Sequence, residues 1–102
     1  MRLLVFFDLP TTRPKDKRAY TRFRGFLLKD GYDMIQFSVY GRVINGHNDM
    51  EKHMRRLNAN LPPKGSVRCL SISEKQFVNV KILVGKPAKQ EKIVNTEQLL
   101  LL

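Results

Sequence analysis

Two groups of residues near the start of the 102-residue chain are placed to do chemistry. Asp8 ends the apolar run 3–7 and is the only acid among the first fifteen residues. Behind it come six cations in the stretch 13–24: Arg13, Lys15, Lys17, Arg18, Arg22 and Arg24. A carboxylate at the mouth of a buried strand can hold a hard cation such as magnesium, which accepts one or two protein carboxylates and keeps several waters. A metal so held generates hydroxide or polarises a phosphodiester. The same acid serves equally as the point where a strand end meets water, and spacing does not separate the two readings. The cations have a simpler chemistry: a dense cluster of Arg and Lys grips a polyanion.

Other chemistries find little support. His47 and His53 are six apart, outside the i,i+4 spacing of a helical zinc pair, and both read as surface histidines. The single cysteine, Cys69, excludes an intrachain disulfide; it lies in an apolar strand pattern and is expected as a buried, inert thiol. No glycine-rich phosphate loop and no nucleophile elbow is present.

The charge balance agrees with a polyanion partner. Lys and Arg number 19 against 9 Asp and Glu, a formal net charge of +10, while 42% hydrophobic residues exclude a disordered basic tail. Nucleic acid is the expected partner. No basic amphipathic helix stands apart from the fold to favour a membrane surface, and no apolar run approaches a membrane span. The first apolar run is broken by Asp8 too early for a signal peptide, so a cytoplasmic location is expected.

The elements that must position these groups follow from periodicity. Residues 3–7 read as a strand buried on both faces and stopped by Leu9-Pro10. Pro14 suits a first helical turn, and Ala19, Tyr20, Phe23, Phe26 and Leu27 recur at helical spacing over 15–29 until Gly31. Lys15, Arg18, Arg22 and Lys29 border that stripe on one side, and Lys17 and Arg24 lie past the other. No acid falls between Lys17 and Lys29 to form i,i+4 pairs. The run 32–44 predicts one bent strand or two, with Gly41 as the only punctuation. Asn48 or Asp49 caps a second helix spaced by Met50, Met54, Leu57 and Leu61 and closed by Pro62-Pro63. Strands are expected over 67–72 and 78–84, joined by a polar connection at 73–76.

This order predicts an α+β, ferredoxin-like βαββαβ sandwich with an extra C-terminal strand and both helices on one sheet face. The domain spans 1–86, followed by a tail at 87–102. Two helices cover one side of a first strand that is apolar on both. The simplest second layer is another copy of the chain, giving a homodimer. Asp8 shares a face with Leu4 and Phe6, so two Asp8 carboxylates would approach each other across the axis.

The segment Val5-Phe6-Phe7-Asp8-Leu9-Pro10, the basic stretch behind it, Gly31-Tyr32, Gln36-Phe37-Ser38-Val39-Tyr40 and the basic strand pair near the end together resemble a known family. It is the small subunit of the CRISPR spacer-acquisition machinery, the second numbered Cas family, in versions accompanying type II systems. The resemblance covers about residues 1–86. It implies a ferredoxin-like homodimer. It also implies that Asp8 matches the acid assigned to magnesium in members described as endoribonucleases or other metal-dependent nucleases. In the adaptation complex, it implies a dimer that bridges two dimers of the integrase subunit, the first numbered Cas family, and holds double-stranded protospacer DNA while the integrase does the chemistry. By this carry-over Arg13, Lys15, Lys17 and Arg18 contact phosphates, with Arg22 and Arg24 next.

Two functions from different classes follow: a DNA-bridging scaffold, and a magnesium-dependent endonuclease acting on single-stranded RNA or duplex DNA through Asp8. A ribosome-associated basic protein ranks below both. The strand 36–40 lacks the Gly-aromatic pattern of an RNA-recognition motif, which assigns Tyr40 to core or interface. The tail, with Ile93-Val94 and the leucines from Leu99 to Leu102, is expected to dock as an added strand on the partner subunit or the integrase.

Overall fold

Leu3, Val5 and Phe7 alternate along the first strand and meet Phe23 and Leu27 of the first helix and Leu57 of the second in one buried cluster that also takes in Tyr32, Tyr40 and Ile44. The structure, a computed structural model, describes residues 1–87. Its elements are β1 (Arg2–Asp8), α1 (Pro14–Lys29), β2 (Asp33–Gln36), β3 (Val39–Val43), α2 (Gly46–Ala59), β4 (Ser66–Ile72) and α3 (Glu74–Val78). The strands form one sheet in the order β2-β3-β1-β4, with every neighbouring pair antiparallel. That order, with α1 and α2 packed on one face, is the ferredoxin-like βαββαβ arrangement. Of the expected tail at 87–102, residues 88–102 lie outside the described residues.

Local chemistry explains most boundaries. Pro14 begins α1, where its missing N–H costs nothing, and Asp16 in the first turn and Lys29 in the last complement the helix dipole. The 32–44 run does divide into two strands, but at Phe37-Ser38 rather than at Gly41. Ser38 takes the left-handed φ of 65° that the tight turn requires, and the Phe7 N–H donates to its carbonyl at 3.0 Å, which ties the turn to β1. Gly41 instead lies inside β3, opposite Leu4. A Cβ there would stand 2.8 Å from Leu4 Cδ2, so the glycine is a packing requirement, not punctuation.

Two other expectations need correction. The helix α2 starts at Gly46 behind Asn45, three to four residues earlier than a cap at Asn48 or Asp49 implies, and it ends before Leu61, which is exposed. Residues 78–84 form no strand, and the polar connection at 73–76 opens the short helix α3. Ser73 and Gln76 form a reciprocal capping box: the Gln76 N–H donates to Ser73 Oγ at 3.1 Å and the Ser73 N–H to Gln76 Oε1 at 2.8 Å. Alternation at Val80, Ile82 and Val84 makes a strand only where a sheet edge pairs with it, and these side chains remain exposed.

The second sheet face is partly covered from within the chain. Arg2, on the same side of β1 as Leu4 and Phe6, sets its guanidinium 4.3 Å above the buried Phe77 ring of α3 and pairs through Nε with Glu74 at 3.1 Å. This cover lies at the Arg2 end of β1. The Asp8 end stays open.

Candidate nucleic-acid interface

Arg13 caps α1 through its extended backbone alone, with no side-chain capping bond, which leaves its guanidinium in solvent. Lys15, Lys17, Arg18, Arg22 and Arg24 follow on the exposed part of the helix, while Phe23 and Leu27 take the core side. Among the described residues none of Arg13, Lys15, Lys17, Arg18 and Arg22 is in an ion pair. Arg24 is engaged: its Nε donates to Tyr40 Oη at 2.7 Å, closing the α1–β3 packing. Tyr40 is a core residue, in line with its assignment to core or interface, whereas Phe37, on the alternate set of the same run, is exposed. Five of the six cations singled out in the sequence thus form an uncompensated strip, and the sixth has a structural bond as well.

Asp8 is exposed at the end of β1, opposite Ser66 in the register with β4. Ser38, Ser66 and Arg68 line the same shallow depression, with Phe6 and Val39 as its apolar wall. Gly65 sets the position of this end. A Cβ at Gly65 would stand 2.6 Å from the Asp8 carbonyl oxygen, and its φ of 93° is left-handed, so only glycine lets β4 start so close to β1. One chain therefore supplies one carboxylate, two hydroxyls and a neighbouring guanidinium. Among the described residues no group of three or more His, Cys, Asp or Glu could hold a metal ion. A magnesium ion held by this one carboxylate would keep most of its ligands as waters or substrate oxygens.

The family model of CRISPR associated protein Cas2 matches residues 1–80 of the chain. The chain belongs to this family. It is 63% identical over 101 residues, 99% of either chain, to a protein of Acidovorax ebreus named CRISPR-associated endoribonuclease Cas2. A protein of the same name from Treponema denticola is 35% identical over 102 residues, the whole of both chains. Among solved structures, that of Streptococcus pyogenes Cas2 at pH 6.5 superposes with a TM-score of 0.65, covering 82% of this chain and all of that one. At 19% identity this second kind of match speaks for the fold alone.

One polar cluster in this Cas2-family chain was not legible as such in the sequence. His53, expected at the surface, is 2% exposed. Its Nδ1 lies 2.9 Å from Asp30 Oδ2, and its Nε2 lies 3.2 Å from Asp49 Oδ1 but off the line of a hydrogen bond. Arg56 pairs with the other Asp30 oxygen at 2.9 Å, and Arg42 donates to the Asp30 carbonyl. Arg42 also approaches His53 Nδ1 at 3.3 Å, but the shorter contact to Asp30 takes that nitrogen's proton. The signal was the helical spacing itself, since position 53 falls in the stripe of Met50, Met54 and Leu57. The Asn45 N–H, 2.9 Å from Asp49 Oδ2, holds the Asp49 carboxyl below its usual range, and Lys52 and His53 act the same way. Burial, helped by the Asp30 charge, pushes the Tyr32 hydroxyl up to about 12.

Cys69 is a further correction. It is exposed, with Sγ 3.8 Å from Met54 Sδ, because β4 is an edge strand and lies at the margin of the helix layer. His47, in contrast, is at the surface as expected, paired with Glu51 at 3.1 Å. No helix among the described residues is long and apolar enough to cross a membrane.

Proposed function

We propose that this Cas2-family chain is a subunit of the CRISPR spacer-acquisition machinery, working as a basic homodimer in the cytoplasm that holds double-stranded protospacer DNA by its phosphates and bridges dimers of the integrase subunit. The observation that carries this reading is the set of Arg13, Lys15, Lys17, Arg18 and Arg22, exposed and in no ion pair among the described residues. Protospacers differ in sequence, so the binder grips phosphates, which position a duplex without reading it. With four such cations per chain, a dimer gives a slope of log affinity against log salt of about −7. The dimer is supported by two exposed features that a second copy would cover: β4, a seven-residue edge strand, and the apolar side chains of Val80, Ile82, Leu83 and Val84.

A second reading is favoured by the bare Asp8 carboxylate and by the endoribonuclease name of the relatives. In it, Asp8 from each chain of the dimer holds magnesium at the axis for phosphodiester hydrolysis of single-stranded RNA or duplex DNA. When bound, the metal supplies an activated water. Asp8 orients the ion, and Arg68, on the same sheet face, is placed to meet phosphate charge.

The two readings separate in one experiment. Wild type, Asp8→Ala and the Arg13/Lys15/Arg18 triple alanine are compared in spacer integration with the integrase subunit, and in cleavage of RNA and duplex DNA with magnesium. The scaffold reading expects normal integration by Asp8→Ala and none by the triple variant. Loss of integration by an Asp8→Ala protein that still dimerises and binds DNA would overturn it in favour of metal chemistry.

A further inference from the structure

The cations of α1 border a concave surface as well as a convex one. Between the first half of α1 and the loop after α2 lies a cavity of about 350 Å³, within the size range of small-ligand sites. Its floor is apolar: Leu9, Ala19, Pro62 and Pro63. Its rim carries four cations, Lys15, Arg18, Arg22 and Lys64, against one acid, Asp16. Arg22 also lines a second depression farther along α1, where the half-buried Phe26 is flanked by Lys29 and by Arg56, the latter paired with Asp30 in the same lining. The two depressions form one groove along α1 from Lys15 to Lys29, about 21 Å at the helical rise.

A duplex is a poor occupant of such a groove. Its bases are stacked inside, and a convex backbone reaches the cations without touching a recessed apolar floor. An unpaired nucleotide presents both chemistries at once, a flat apolar base and a phosphate. Single strands are held where cations track the backbone beside surfaces that shelter the bases, and here that shelter is aliphatic, Leu9, Ala19, Pro62 and Pro63, so it accepts any base by burial and not by ring stacking. We infer that the α1 groove is a binding site for single-stranded DNA, with one base seated in the cavity floored by Ala19, Pro62 and Pro63 and its phosphate held by Arg18, Arg22 and Lys64. The site thereby handles an unpaired end of a strand whose paired part lies on the exposed side of α1. It rests in part on the duplex-binding reading, because Lys15, Arg18 and Arg22 serve both.

The test uses the full-length protein and three probes read by fluorescence anisotropy: a twelve-nucleotide dT strand, the same strand with abasic sites, and a twelve-base-pair duplex. Wild type is expected to bind the abasic strand at least about threefold more weakly than dT, as burial of one base face against aliphatic side chains implies. Ala19→Leu fills the cavity without changing charge. It is expected to lose that difference while its duplex affinity stays within twofold. Lys64→Ala, a substitution at an exposed loop position, backs up the cavity variant should the latter fold poorly. It is expected to reduce the single-strand salt slope by about 0.7 and leave the duplex slope unchanged. Duplex binding combined with equal affinity for dT and abasic strands overturns this inference alone. Strand binding that depends on the base, in a protein with no affinity for duplex, supports it and instead overturns the duplex reading.

Discussion

The helices α1 and α2 lie side by side on the same sheet face, and both are rich in charge, yet they dispose of it in opposite ways. In α2 most charges answer one another: His47 meets Glu51, Lys52 meets Asp49 at 3.3 Å, and Arg56 and His53 share Asp30, which leaves Arg55 as the cation of that helix with no ion pair among the described residues. In α1 the only acid is Asp16, and none of the cations finds an ion pair among the described residues. Surface pairs contribute little to stability, so the lesson concerns potential. Where charges pair internally the field cancels over short distance, and where they do not it extends outward and attracts a polyanion. The net charge of +10 is therefore less informative than its distribution.

The largest expected effect breaks this contrast directly. Replacing Arg13, Lys15 and Arg18 by Ala should lower the duplex salt slope by about 2.7 per chain, with a loss of affinity on the order of a hundredfold at moderate salt. Replacing Lys52, which is also exposed and basic, should change affinity less than about twofold, because Asp49 already pairs with it. Anisotropy titrations over a salt series give both numbers. Equal losses from the two helices would mean that binding follows net charge and that the bare strip has no special role.

The next effect concerns stability. Asp30 holds His53 and Arg56 together, its side chain is 8% exposed, and His53 is sealed beneath it. Asp30→Ala leaves a buried imidazole facing two guanidinium groups without their counter-charge. Removing one partner of a buried pair costs 3 to 5 kcal/mol, and the half-exposed Arg56 moves the expectation to about 3. Urea unfolding measures it. Duplex affinity, read well below the unfolding transition, should be unchanged, since no phosphate-gripping residue depends on Asp30.

Asp49 gives a weaker effect of known sign. Its carboxyl is held below the usual range in the folded chain. Its contribution is therefore present above the unfolded carboxylate pKa and lost as pH falls through the folded one. Asp49→Asn should make the acid side of the stability curve shallower, visible in thermal melts between about pH 5 and 3. A curve of unchanged steepness would place the acid sensitivity elsewhere.

Much of this was legible because the sequence carries it locally. Pro14 and the apolar stripe of α1 gave that helix its limits, β1 its unbroken apolar run, and the absence of acids after Lys17 the bare cationic strip. What failed depended on distant partners. His53 reads as a surface residue until Asp30, twenty-three positions away, is brought against it. Cys69 reads as buried until the strand order makes β4 an edge. The alternation over 78–84 is a strand pattern, but a ladder needs an edge beside it. In contrast, α3 was missed although Ser73-x-x-Gln76 is a local capping signal, because the polar composition was taken for a connection.

The smallest effect belongs to Tyr32, and it sharpens the comparison by asking what an unpaired group does when it is buried. Bare cations on α1 are solvated and cost nothing to keep. The Tyr32 hydroxyl is buried without a hydrogen-bond partner among the described residues, and its ionisation is pushed up to about 12 from 10.0. A raised pKa means that folding favours the protonated form. The corresponding stability is complete below pH 10 and is lost as pH rises towards 12, by about 2 to 3 kcal/mol at most. Tyr32→Phe should remove that alkaline loss. Near neutral pH it should stabilise the chain by about 1 kcal/mol, because an unsatisfied buried hydroxyl is replaced by an apolar ring edge. The Arg42 guanidinium, 5.9 Å above the ring, keeps an aromatic face in either protein. Chemical unfolding of both proteins at pH 7 and pH 11 isolates the effect, since the two differ in no other ionisable group. A Tyr32→Phe protein less stable than wild type at pH 7 would mean that the hydroxyl has a partner after all, such as an ordered water.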